Sequence, residues 1–271
     1  MGNVWDRATD FLSDNLPVVV PIALLAIFLP NSLSASIAPI AKQSFTANLV
    51  IQTVQFALTL VTLWGQLALI ALAIEPLAGR SAAMARANAR FLPMIGLTLL
   101  ALIGFLLLIM PFPIVLGFAG YDLNAAMNGE QVPVPDGAGG FVALYTLVLV
   151  PLLLFLLARL VLLTPVVVLE RRRIGAFRRS FVLTRGITWK VIGVVILYLI
   201  VLGVSLLAAR FVFGSILELV AGGEGDISLA SVLTSVMVSA VETGFVALAA
   251  AFVAKLYLAV RDAREAIVNS I

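Results

Sequence analysis

A chain of 271 residues that is 62% hydrophobic and 11% charged, with a formal net charge of +3, is too apolar for a soluble globular domain. Its mean hydropathy of +1.16 says the same. The absence of Cys and His excludes disulfides, thiol nucleophiles, Cys/His zinc sites and imidazole acid–base catalysis.

The chain opens on an amphipathic stretch. Val4, Ala8, Phe11 and Leu12 share one helical face while Asp6, Asp10 and Asp14 lie on others, which predicts a helix over residues 3–15. Asn3 is its expected cap, Asp6 falls in its first turn, and Trp5 is placed for headgroup level. Six apolar runs follow, at residues 17–38, 49–74, 92–110, 141–169, 191–213 and 229–253. Each is near the roughly 20 residues that a helix needs to cross a bilayer. They are too long and too evenly apolar for the alternating strands of a membrane barrel. The segment before the first run carries Asp6, Arg7, Asp10 and Asp14 and is net acidic, so that run reads as a membrane helix rather than a cleaved signal. The expected fold is all-α: one polytopic membrane bundle of six helices, with short cytoplasmic amphipathic helices.

Charge sets the expected topology. Arg80, Arg86 and Arg90 follow the second run, seven basic residues lie from Arg171 to Lys190 after the fourth, and Lys255, Arg261 and Arg264 follow the sixth. The intervening connections carry Asp122, Glu130 and Asp136, or Glu224 and Asp226, with no basic residue; the first has only Lys42. Basic connections stay on the cytoplasmic side, so both termini are expected there.

The stretch Leu169–Lys190 is first a topological anchor. Read as a helix over about 172–184, it aligns Ile174, Phe177, Phe181 and Thr184 in one sector beside a stripe of Arg171, Arg178 and Arg185. Such a helix can lie in the interface with its cations against anionic headgroups. Arg171, Arg172, Arg173, Arg178, Arg179 and Arg185 are therefore the candidate headgroup contacts. Gly186 suits the end of that helix, and Trp189 with Lys190 suits the rim of the next. Membrane anchoring accounts for the basic residues, and no nucleic-acid partner is expected.

Two further features stand out. The Ile74-Glu75 exit, basic loop and Gly96 entry recur as the Leu169-Glu170 exit, basic loop and Gly193 entry, offset by about 95 residues, which suggests an internal repeat of 49–118 and 141–215. Both loops are amphipathic enough for short interfacial helices. Within the runs, Arg159 is placed near mid-bilayer and Glu242 about 22 Å from the inner interface by helical rise, depths at which a lone charge costs at least about 2.5 kcal/mol, so they are expected to pair across the fourth and sixth helices. Gln55 is expected to line the same polar region or to join helices. Pro30, Pro111, Pro151 and Pro165 can kink or end helices. No carboxylate pair, activated nucleophile or glycine-rich phosphate loop has usable spacing, so no catalytic residue, metal or cofactor is expected.

Arg159, the Thr164-Pro165 exit to Glu170, the run Ser180-Phe181-Val182-Leu183-Thr184-Arg185-Gly186 and the re-entry at Trp189-Lys190 together resemble the membrane domain of glycerophosphodiester phosphodiesterases and its bacterial inner-membrane relatives. The closing segment Lys255–Arg261 is similar to that family's last helix. The resemblance implies a membrane module with cytoplasmic amphipathic helices. It does not imply phosphodiesterase activity, which in family enzymes belongs to a separate soluble barrel domain with metal ligands. The expectation is a non-enzymatic bacterial inner-membrane protein associated with anionic lipids or envelope components. Open alternatives are a small transporter with a polar path at Arg159, Glu242 and Gln55, and a partner or homo-oligomeric subunit of a membrane complex.

Overall fold

A computed structural model describes residues 1–42, 44–127, 130–135, 137–170, 174–221 and 229–269. Every regular element among them is helical. Helix α1 (Gly2–Asp14) precedes a broken first span made of α2 (Leu16–Ala23), a π-helical turn (Leu24–Phe28), α3 (Leu29–Ile37) and a 3-10 turn (Ala38–Lys42). Then come α4 (Phe45–Ile74), a 3-10 turn (Pro76–Ala78), α5 (Gly79–Ile109), α6 (Pro111–Phe118) and the short α7 (Leu123–Met127). The second half holds α8 (Ala138–Leu160), α9 (Leu163–Glu170), α10 (Gly175–Thr184), α11 (Thr188–Ala221) and α12 (Leu229–Asn269). Among the described residues, six segments are long and apolar enough to cross a membrane: Leu16–Ala41, Phe45–Ile74, Pro76–Phe118, Ala138–Glu170, Thr188–Leu217 and Leu229–Glu265. The chain is a multi-pass helical membrane protein.

Prolines write the breaks. The ring of Pro30 collides with a helical carbonyl four residues back, at Ala26, and removes one donor. The ladder widens there, with the Leu29 N–H bonded to the Leu24 carbonyl five residues back. Gly65 of α4 packs on this turn, where a Cβ would stand 2.7 Å from the Ala26 Cβ and 3.1 Å from its carbonyl oxygen. Only glycine permits that approach. Pro165 acts likewise on Val161, and the fourth span parts there into α8 and α9 rather than running unbroken to residue 169.

Three expectations need correction. The basic loop after Glu75 is not a separate interfacial helix: its alanines and arginines are good helix formers, and they build the first turns of the 31-residue α5. Asn3 does not cap α1, which starts one residue earlier with Met1 at the cap position. On α10 the buried face is Ala176, Ser180, Leu183 and Thr184, whereas Ile174 is 72% exposed. Ser180 turns inward because its hydroxyl finds the Arg159 carbonyl there, and Thr184 tolerates burial because its hydroxyl bonds the Ser180 carbonyl of its own helix.

The buried core lies toward one end, hereafter the basic end, where α1, the α4–α5 link, α9, α10 and the last third of α12 meet. Every residue of α4 from Leu67 to Ile74 is at most 7% exposed. Such burial on all sides marks a central helix. Around it stand Val4, Ala8 and Phe11 of α1, Val166 and Val167 of α9, and Ala250, Ala254 and Tyr257 of α12. At 41 residues, α12 is about 60 Å long, twice the hydrocarbon thickness, so it runs past the bilayer unless strongly tilted.

Candidate functional site

The basic end is held by side chains that reach between helices. Ending α8 at Leu160 frees its last carbonyls, and the Ser180 hydroxyl donates to the Arg159 carbonyl at 2.6 Å. In return the Arg159 guanidinium donates through Nη1 to the Phe181 carbonyl at 2.9 Å. Its Cζ lies 5.0 Å from the Phe155 ring centre and 5.7 Å from that of Phe181, a cation between two aromatic faces. Its Nε is buried without a hydrogen-bond partner among the described residues. Thr184 donates to the Ser180 carbonyl and Thr188 to that of Thr184, which carries the bonding into the start of α11. Gly186, at φ +92°, makes the turn between them.

A second junction centres on Glu170, the last residue of α9. Its Oε1 accepts from Arg179 Nε at 2.8 Å and from the Tyr257 hydroxyl at 3.0 Å, tying α9, α10 and α12 together. Tyr257 is fully buried. The first half has a counterpart in the Arg86–Glu75 ion pair between the start of α5 and the end of α4. Cations also close helix ends, where unpaired carbonyls carry partial negative charge. Lys255 donates to the Ala73 carbonyl at 2.9 Å while standing 4.9 Å from the centre of the Phe11 ring. Arg264 donates to the carbonyls of Val182 and Arg185 at the end of α10.

The expected pair of Arg159 and Glu242 does not form. Helix α8 packs on α10 and α11, while α12 packs on α11, α4 and α1, so the two charges sit on helices that are not close neighbours. Placing Arg159 at mid-bilayer assumed one helix continuous to Arg171; the break at Val161 and the return of α10 bring it level with Phe181 instead. Gln55 is elsewhere again, donating to the Ser34 carbonyl at 3.3 Å within the first hairpin, near the Thr62–Asn31 hydrogen bond. Of the six arginines expected to face headgroups, Arg178 and Arg185 are exposed and Arg179 is drawn into the Glu170 junction. Arg171, Arg172 and Arg173 lie outside the described residues. Lys190 is exposed, and Trp189 beside it is 82% exposed.

Lys255 and Tyr257 carry more of this end than their place in the sequence announced. The signal was present in Glu170, a lone carboxylate closing an apolar run, and in two polar side chains inside the apolar α12. Two clefts open at the basic end. One, of about 450 Å³, lies between α1 and α12 and mixes Asp10, Asp14 and Asp262 with Arg7 and Lys255. The other, of about 630 Å³, lies between α1, α10, the start of α11 and α12. No family model matches this chain, and no curated protein or solved structure matches it either.

Proposed function

We propose that this chain is a non-enzymatic multi-pass protein of the bacterial inner membrane, with both termini cytoplasmic, whose basic end associates with anionic lipid headgroups. The observation that carries this reading is a division among the cations. Arg159, Arg179, Lys255 and Arg264 have acceptors within the protein. Arg178, Arg185 and Lys190 stay exposed on α10 and at the start of α11, with Trp189 among them. Cations near an anionic leaflet are worth about 1 kcal/mol each, and an exposed Trp at the mouth of a span favours headgroup level. Membership of the family that the sequence resembles is part of the proposal. Of the motif residues, Arg159, Ser180, Thr184 and Gly186 build the first junction and Glu170 centres the second, so they would serve structure rather than chemistry.

The transporter reading loses its support once Arg159 and Glu242 are separate. Reconstitution in bilayers of mixed phosphatidylcholine and phosphatidylglycerol, followed by mass analysis of the lipids retained on release, tests the proposal. The parent should be enriched in phosphatidylglycerol, and the triple variant Arg178→Gln, Arg185→Gln, Lys190→Gln should lose most of that enrichment. Equal retention of both lipids by the parent would overturn the reading.

A further inference from the structure

The larger cleft at the basic end is chemically two-sided. Its floor is apolar: Val4 of α1, Leu183 at the end of α10, Ile187 in the turn that follows, and Leu256 and Val260 of α12 are buried or half-buried. Among the described residues its polar lining consists of cations alone: Arg185, Lys190 and Arg264. Arg264 is fixed in place by the two carbonyls at the end of α10, while Arg185 and Lys190 are exposed. The neighbouring cleft offers a contrast, because three Asp side chains there stand beside one Arg and one Lys and give no preference for an anion. At about 630 Å³ the larger cleft falls within the roughly 300–1,000 Å³ typical of small-ligand pockets.

Its position selects the occupant. The cleft opens where α11 starts, beside the exposed Trp189, so its cations face the level at which headgroups lie. We infer that this cleft holds one anionic phospholipid drawn from the surrounding bilayer. The phosphate sits among Arg185, Lys190 and Arg264, and one acyl chain lies along Leu183, Ile187, Leu256 and Val260. This deepens the lipid reading and rests on it: a bound lipid at a defined place is added to a general attraction for anionic headgroups. By joining α1, α10 and α12 such a lipid also makes the packing of the N-terminal helix depend on membrane composition.

Native mass spectrometry of protein released from phosphatidylcholine–phosphatidylglycerol bilayers tests the inference. Ala259→Trp and Ala263→Phe would fill the cleft without touching a cation, since both residues line it. The parent should retain one phosphatidylglycerol, and each variant that keeps the parental melting temperature should retain at least about tenfold less. Retention unchanged in a folded variant overturns the cleft while leaving the general lipid reading intact. No phosphatidylglycerol preference in the parent overturns both. A second measurement needs no variant: phosphatidylglycerol with a photoreactive acyl chain should label the parent at residues 183–187 and 256–260. Label confined to other segments contradicts the assignment, and so does displacement of the lipid by a co-purifying acidic protein.

Discussion

At the basic end Leu67 to Ile74 are enclosed on every side, and the helices around them meet through small residues: Ala68, Ala71, Ala73, Ala83, Ala87, Ala250, Ala251 and Ala254. Toward the opposite end α5, α8 and α11 present Leu107, Leu147, Val204 and Phe211, each more than half exposed. The spans that expose most of their surface, Pro76–Phe118 and Thr188–Leu217, are more apolar than the well-buried Phe45–Ile74, so hydrophobicity does not decide which helices close on one another. Lipid tails satisfy a leucine as well as another helix does, and association in a membrane falls to close packing and hydrogen bonds between helices. This molecule supplies both at one end: alanine and glycine faces at α4, α5 and α12, and side-chain bonds from Arg159, Ser180, Glu170, Lys255 and Tyr257.

Three substitutions would break or sharpen that contrast. Leu67→Ala opens a cavity in fully buried surroundings and should cost about 2–5 kcal/mol in a reversible detergent-unfolding titration. Tyr257→Phe keeps the ring and removes one donor to Glu170, so the same titration should register about 0.5–1.5 kcal/mol. Leu147→Ala, chemically identical to the first but on an exposed face of α8, should stay within about 0.5 kcal/mol of the parent. Similar losses at Leu67 and Leu147 would mean that the opposite end is also closed, by a second copy or by a partner.

Much of the fold was legible from composition and period. The six spans, the amphipathic face of α1 and the turn at Gly186 follow from apolar run length, helical spacing and the tolerance of glycine for positive φ. The division of the fourth span at Val161 was half legible: Pro165 marked a weak point, but whether a proline kinks a helix or ends it depends on what bonds the carbonyls left at the helix end, here the Ser180 hydroxyl donating to Arg159 from another helix. The site was less legible. Spacing along a helix gives depth only while the helix continues, so the estimate for Arg159 failed where α8 ended. Its partner was misassigned because sequence spacing does not say that α11 rather than α12 lies beside α8. The face of α10 was misjudged for a related reason: a count of apolar residues passes over Ser180, a hydroxyl buried with its bond to another helix made. Glu75 and Glu170 each form an ion pair with an arginine of the following helix, Arg86 and Arg179, which spacing in the sequence did not announce.

The central claim is that the arginine near the end of the fourth span clasps α10 rather than forming a charge pair with the sixth span. A double-mutant cycle on unfolding stability in detergent tests this most directly, with Arg159→Ala combined first with Phe181→Leu and then with Glu242→Gln. The structure predicts a coupling of about 0.5–2 kcal/mol between Arg159 and Phe181, whose guanidinium and ring lie 5.7 Å apart, and additivity within about 0.5 kcal/mol for Arg159 and Glu242. Additivity in the first cycle together with strong coupling in the second would contradict it.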